Sequence, residues 1–213
     1  MKVLILGAAG QIPRYLIPAL LAQTEVSLVL FAREGRRLRV TDPARETVIN
    51  GDINDIARLT EAMNGVDLVF VNPVIRNRET VETIQKTMQH SGVKRIIASS
   101  ILVIYDEVQG AFGQWNKQMV GAEGIASASA IARWFEGSGL DYTLLRLTWL
   151  YNKDGNTAYT LTQKGEPFDG AQVTRQAVAQ LIVDIVKDKS GRYSHTSLGV
   201  GEPNTNWDKP SFY

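Results

Sequence analysis

The sequence predicts an α/β protein built on a doubly wound parallel sheet, with a small elaboration towards its C-terminal end. Two patterns predict it. Short runs rich in Val, Ile and Leu recur at 3–6, 26–31, 66–71, 93–98 and 142–147. They are near-continuous rather than alternating, as in strands buried on both faces of a parallel sheet. Stretches with helical periodicity lie between them, and such alternation places helices on both faces of the sheet.

The helices follow in order. Ile12, Leu16, Ala19 and Leu20 share one face of the first, which Pro18 should kink because it lacks an N–H. Ile56, Leu59 and Met63 follow Asn54 or Asp55 as N-cap, and Gly65 stops that helix. A third helix runs over about 79–90 and ends near Gly92, and another over 130–136 stops at Gly137. Thr174 caps the last, with Val178, Leu181, Ile182 and Ile185 on one side. Beyond residue 150 the strand pattern thins to a candidate at 196–200. Residues 1–213 therefore read as one domain, with a core to about 150 and substrate-side elements over 151–213.

Composition narrows the function classes. The chain is 44% hydrophobic and 21% charged, as in ordinary globular proteins. Its net charge of +1 points to no nucleic-acid or acidic-membrane partner. Absence of cysteine excludes disulfides, thiolate catalysis and Cys-ligated metal centres. His90 and His195 fit no metal-ligand spacing and no Ser-His-acid set, so no metal site is expected. No apolar run reaches the roughly 18 residues needed to span a bilayer, and no signal-peptide layout precedes the first strand. A cytoplasmic protein, monomeric or homodimeric, is expected.

The most informative stretch is "LILGAAGQIPRYL", from Leu4 to Leu16. A strand, a glycine turn and a helix N-terminus together make an anion site, because glycines allow close backbone approach and the helix end offers unpaired N–H groups. The spacing is G-x-x-G-x-x-P, with Pro13 where a third glycine would stand. That glycine serves helix–strand packing, and proline suits a helix's first turn. The loop remains a dinucleotide cradle in a Rossmann-like fold, with Gly7, Ala9, Gly10, Gln11 and Ile12 as its members. In this fold the end of the second strand meets the adenosine ribose, with an acid for NAD and an arginine for the 2′-phosphate of NADP. Arg33 stands there, followed by Arg36, Arg37 and Arg39, so NADP(H) is favoured. Glu34 keeps NAD(H) open, and a solvated basic loop is the alternative reading of the whole run. The run has no interleaved aromatics, so nucleic-acid binding is not indicated.

With these residues in place, "ILGAAGQIP", "GDINDIARLTEAMNGVDLVFV", "VKRIIASSILVIYDE" and "SGLDYTLLRLTWL" resemble the atypical short-chain dehydrogenase/reductases, nearest to the NmrA-like NAD(P)H-binding branch often labelled epimerase/dehydratase. The resemblance implies that Gly7, Gly10, Gln11 and Ile12 line the pyrophosphate and Arg33 the 2′-phosphate. It implies that Asp52 and Ile53 contact the adenine and that Asn72 and Pro73 run beside the ribose. Ser99 and Ser100 would face the nicotinamide, and Leu147, Thr148 and Trp149 would border nicotinamide and substrate. A turn role for Asp52 and strand-end capping for the two serines are the plainer alternatives. Two departures stand out. Leu147, rather than the family's frequent proline, follows Arg146. None of the seven tyrosines has a lysine four residues later, so the Tyr-x-x-x-Lys pair that moves a proton in classical members is missing.

Tyr105, close behind the serines, is the candidate donor in its place, with a pocket wall as the alternative. "GAFGQWNKQMVGAEG", with Phe112, Gly113, Trp115 and Met119, reads as an irregular lid or substrate loop, or as a segment packed on the body. The function expected is NADPH-dependent hydride transfer to a small planar acceptor such as a quinone, flavin or conjugated carbonyl. A non-catalytic NADP(H) redox sensor is the alternative. A sugar-nucleotide epimerase or dehydratase is disfavoured by the missing Tyr–Lys chemistry.

Overall fold

The computed structural model describes residues 1–72, 75 and 77–213. The chain begins β1 (Lys2–Leu6), α1 (Pro13–Gln23), β2 (Ser27–Ala32), β3 (Glu46–Asn50), α2 (Ile56–Ala62), β4 (Leu68–Val71) and α3 (Arg78–Ser91). It continues β5 (Arg95–Ile101), α4 (Gly110–Val120), α5 (Ala122–Gly137), β6 (Asp141–Leu147), β7 (Trp149–Tyr151) and β8 (Thr160–Thr162). It closes with β9 (Gln172–Thr174), α6 (Arg175–Lys187) and β10 (Thr196–Gly201). Eight strands form one sheet in the order β3-β2-β1-β4-β5-β6-β10-β8. All its pairings are parallel except that of β8, which runs antiparallel to β10. β7 and β9 make a separate parallel pair.

Strand order reverses between β1 and β4. Chain segments leaving the C-terminal ends of these two strands diverge there and open a crevice. α1 and α6 cover one face of the sheet, where Leu16, Ile17, Leu20, Val178, Leu181, Ile182 and Ile185 pack on Ile5, Leu30 and Phe70. α2, α3 and α5 cover the other through Leu59, Ile84, Met88, Ile131 and Phe135. Each fully buried Leu or Ile contributes about 1.5–3 kcal/mol of transfer free energy, so these stripes hold the layers together. A third cluster of Leu102, Val103, Val108, Phe112, Phe168 and Ala171 lies under α4.

The strands expected from the apolar runs are present, shifted by a residue or two at their ends. Asp55 is the N-cap of α2, accepting from Arg58 N at 3.1 Å. Gly92 ends α3 in the left-handed conformation, and Thr174 caps α6 by accepting from Ala177 N at 2.9 Å. Other expectations are corrected. α1 continues through Pro18, which lies on its exposed side where water can take the freed carbonyl. Ile56 is 63% exposed and no part of the buried face of α2. α5 begins eight residues earlier than position 130, at Ala122. The stretch read as an irregular loop is the helix α4, and Gly113 belongs in it because a Cβ there would lie 2.2 Å from Val108 O. β3 has no counterpart in the sequence reading. It is an edge strand with polar positions rather than a buried apolar run. Towards the C-terminus the chain divides, with β8, α6 and β10 belonging to the main sheet and its helical cover and β7 and β9 forming the smaller elaboration.

Candidate functional site

The glycine loop lies at the C-terminal end of β1, on one side of the crevice. Gly7 adopts φ +77°, the left-handed turn that glycine allows. Gly10 N donates to Gly7 O at 2.9 Å and closes the turn. A Cβ on Gly10 would sit 2.2 Å from Nδ2 of Asn72, so any side chain at this position requires the Asn72 amide to move. Asn72 N in turn donates to Leu6 O at 2.9 Å. Gly10 and Asn72 thus meet across the point where strand order reverses. Pro13 takes the first turn of α1, and Ile12 at the N-cap position makes no side-chain cap. Pro13 has no N–H, and Arg14 N and Tyr15 N donate to Gly10 O at 3.3 Å and Ile12 O at 3.0 Å. The loop amides of Ala9, Gln11 and Ile12, unpartnered among the described residues, are therefore left for an anion. Ile12 contributes only its backbone, because its side chain is buried in the core. Ala9 and Gln11 are exposed.

Arg33 follows β2 and is exposed, and among the described residues its guanidinium has no partner. Glu34 is engaged elsewhere, pairing with Arg37 at 2.5 Å. Gly35 N donates to Asn50 Oδ1 at 2.6 Å, and a Cβ on Gly35 would lie 2.7 Å from that oxygen. Asn50, at the end of β3, therefore fixes the turn that presents Arg33. No signal in the sequence marks Asn50 for this task. Asp52 takes the turn role, with Oδ1 accepting from Asn54 N at 2.9 Å while the side chain stays exposed. Ile53 packs partly against the sheet face under α2. Pro73 lies outside the described residues.

Ser99 and Ser100 are both buried in β5, but neighbouring strand residues point to opposite faces. Ser99 shares the α1–α6 face with Ile97, and its Oγ is buried without a hydrogen-bond partner among the described residues. Ser100 shares the other face with Ala98. The two serines therefore cannot act as a pair, and Ser99 alone has an orphaned hydroxyl to satisfy.

The catalytic expectation for Tyr105 is corrected. Its hydroxyl donates to Glu136 Oε1 at 2.6 Å and also bonds Ser197 Oγ at 3.2 Å. Burial and the Glu136 carboxylate both push the phenol well above the ordinary tyrosine range. Lys164 lies 4.6 Å from the ring centroid, but its ammonium pairs with Glu136 at 2.7 Å. This arrangement stabilises the protonated phenol and engages its hydroxyl with Glu136 and Ser197. The turn that carries Tyr105 is anchored by a fully buried ion pair between Arg146 and Glu107, whose Oε2 accepts from Tyr105 N at 3.1 Å. Val103 in the same turn has φ +68°, a strained value for a β-branched residue.

Leu147, Thr148 and Trp149 follow one another at the end of β6 and the start of β7. They line a cavity of about 1030 Å³ that also takes in Ile101, Leu102 and Asn116. Thr148 Oγ1 donates to Gly170 O at 3.1 Å, and Trp149 Nε1 donates to Asn116 Oδ1 at 2.9 Å. The ring of Trp115 stands 4.9 Å from that of Trp149, and Tyr213 closes the group at 5.1 Å from both. α4 thus forms a wall of this cavity. Ile101 and Leu147 end β5 and β6, so the cavity opens at the same edge of the sheet as the glycine loop.

A glycine turn packed against Asn72, free loop amides just before α1, an unpartnered arginine after β2 and an orphaned Ser99 hydroxyl all suit a dinucleotide. A model of an NAD(P)H-binding family matches residues 7–189. A short-chain dehydrogenase/reductase from Veillonella parvula, solved in complex with NADP, is 33% identical, with 99% of each chain covered and a TM-score of 0.93. The chain belongs to the NAD(P)H-binding short-chain dehydrogenase/reductase family. A Rossmann-fold NAD(P)-binding protein from Shigella flexneri is 33% identical over 100% of this NAD(P)H-binding chain and 98% of its own, with a TM-score of 0.81. ChuY of Escherichia coli, an anaerobillin reductase, shares the fold at 20% identity and a TM-score of 0.76, with 99% and 100% of the two chains covered. A search among curated proteins finds no match. Among the described residues, no helix of this family member is long and apolar enough to cross a membrane.

Proposed function

We infer that the protein is an NADPH-dependent oxidoreductase that passes hydride to a small planar acceptor: a quinone, a flavin or a conjugated carbonyl. The observation that carries this reading is the pairing of an NADP-compatible crevice with a wide cavity at the same sheet edge, lined by Trp149, Phe212 and Tyr213, with Trp115 packed against Trp149 and Tyr213. The loop of Gly7, Ala9, Gly10, Gln11 and Ile12 holds the pyrophosphate, with the glycines allowing close backbone approach and the amides of Ala9, Gln11 and Ile12 donating. Gly7 N and Gly10 N are engaged by Phe31 O and Gly7 O. Arg33 takes the 2′-phosphate, which no described side chain near it replaces. Asp52 and Ile53 border the adenine, Asn72 borders the ribose, and the Ser99 hydroxyl gains the partner it lacks. When bound, NADPH supplies the hydride. Leu147, Thr148 and Trp149 hold the acceptor against it and exclude water, since orientation is the main demand of such a transfer. An acceptor whose reduced form is stabilised by its own electronics takes its proton from water, so the tethering of Tyr105 is no obstacle.

That tethering also favours a second reading, a non-catalytic NADP(H) sensor. A panel of quinones, flavins and enones offered with NADPH separates the two. Turnover is expected with at least one acceptor. Tight NADP binding with no oxidation of NADPH by any of them overturns the enzymatic reading.

A further inference from the structure

The cavity wall mixes apolar and aromatic side chains with the neutral polar groups of Asn116, Ser127 and Thr148, and it carries two charged positions. Among its described lining residues there is one cation, Arg175, and one side-chain carboxylate, Glu123. They differ in state. Glu123 is exposed in the first turn of α5, where water and the helix end both satisfy a negative charge. Arg175 is partly buried at the first residue of α6, where the helix end adds further positive potential. Its Nη1 donates to Asn152 Oδ1 at 3.0 Å, a neutral acceptor.

The other arginines that are not exposed each have a carboxylate: Arg45 with Asp42 at 2.7 Å, Arg95 with Asp141 at 3.4 Å, and Arg146 with Glu107. Arg175 has none among the described residues. A cation partly removed from water and left without a counter-charge is a cost that a fold ordinarily avoids. Desolvation accordingly pulls the Arg175 pKa below the ordinary arginine range. The guanidinium edge that Asn152 does not use suits bidentate binding of a carboxylate.

We propose that Arg175 anchors an anionic substituent of the acceptor, so that the molecule reduced in this cavity is a flat conjugated carboxylate. The inference rests on the hydride-transfer reading above and narrows it. Trp149, Phe212 and Tyr213 flank the plane of the conjugated system, and Arg175 holds the acid group at the start of α6. The cofactor's own phosphates are the other anions near this edge, and the test separates the two sources.

A naphthoquinone bearing a propionate side chain and its methyl ester are a pair matched in ring chemistry. The wild-type protein should turn over the acid with kcat/KM about tenfold above the ester, the scale of one added charge-assisted hydrogen bond. In Arg175→Gln the acid should fall to the level of the ester, Arg175→Lys should retain part of the preference, and NADPH affinity should stay at the wild-type level. Equal turnover of acid and ester by the wild type overturns the proposal. A loss of NADPH affinity in Arg175→Gln that matches the loss for the acid also overturns it, by assigning the cation to the cofactor phosphates. If neither compound is reduced, the hydride-transfer reading is decided by the wider acceptor panel and not by this pair. Tryptophan fluorescence titrations of the NADP-loaded protein then decide the anchor: tighter binding of acid than ester, abolished in Arg175→Gln, supports it, and equal binding refutes it.

Discussion

The cofactor end of the crevice is assembled from neighbours in sequence, whereas the acceptor end is gathered from all along the chain. Gly7 to Pro13 form one turn and one helix start, Arg33 arrives at the end of the adjacent β2, and Asn72 at the end of β4 across the crevice. The cavity draws on Ile75, Ile101, Asn116, Leu147, Arg175 and Tyr213, which meet because seven parallel strands align their C-terminal ends. The first end depends on backbone conformation, so little can vary there. The second depends on side chains set on helices and short strands, and these can be exchanged without disturbing the sheet. Phosphate binding is thus separated from the choice of acceptor within one chain.

Substitutions can break or sharpen this contrast. Glu107→Gln should have the largest effect, because it leaves the fully buried Arg146 without its counter-charge. Breaking such a pair costs about 3–5 kcal/mol, which thermal or urea unfolding would record as a large loss of stability. Since Glu107 holds the turn behind Leu102, the folded fraction should lose acceptor turnover more than NADPH affinity. Gly10→Ala should come next, since its Cβ needs space held by the buried Asn72. Overpacking of about 1–3 kcal/mol is expected and should appear chiefly as weaker NADP(H) binding in calorimetry. Wild-type affinity in this variant would show that the loop tolerates a side chain.

Arg33→Ala should weaken NADPH about tenfold while leaving NADH nearly unaffected, the lower range for a charge-assisted contact because Arg33 is exposed. Equal losses for the two cofactors would remove the 2′-phosphate assignment. Tyr105→Phe should have the smallest effect. Loss of the bond to Glu136 costs about 1 kcal/mol of stability, and kcat should hardly change. A large fall in kcat would return Tyr105 to the chemistry.

The same contrast explains what was legible in the sequence. Strand runs, the glycine turn, Arg33 and the cap at Thr174 are local signals, and each lies where its chemistry requires. Strand β3 was not legible because an edge strand has a solvated side and no continuous apolar run. Helix α4 was hidden by Gly110, which takes φ +69° at the helix start, and Gly113, which sits against the Val108 carbonyl. The opposite orientation of Ser99 and Ser100 was available from strand periodicity alone. The direction of Tyr105 was not, because it depends on Glu136 and Ser197, 31 and 92 residues away in sequence. Asn50 and Arg175 carry no motif, and only the folded chain shows what each faces.

One contact has a consequence for the order of folding. The helix that begins at the glycine loop buries Leu16, Ile17 and Leu20 against the last helix of the chain, α6. A nascent chain that has completed β1, α1 and β2 has every residue of the loop, yet this apolar stripe is still uncovered. Docking of the two helices closes a long sequence separation, which makes it a late and slow event. Cofactor affinity should therefore arise only as synthesis nears its end, and a ribosome-bound chain released before α6 should expose a sticky helix rather than a working crevice.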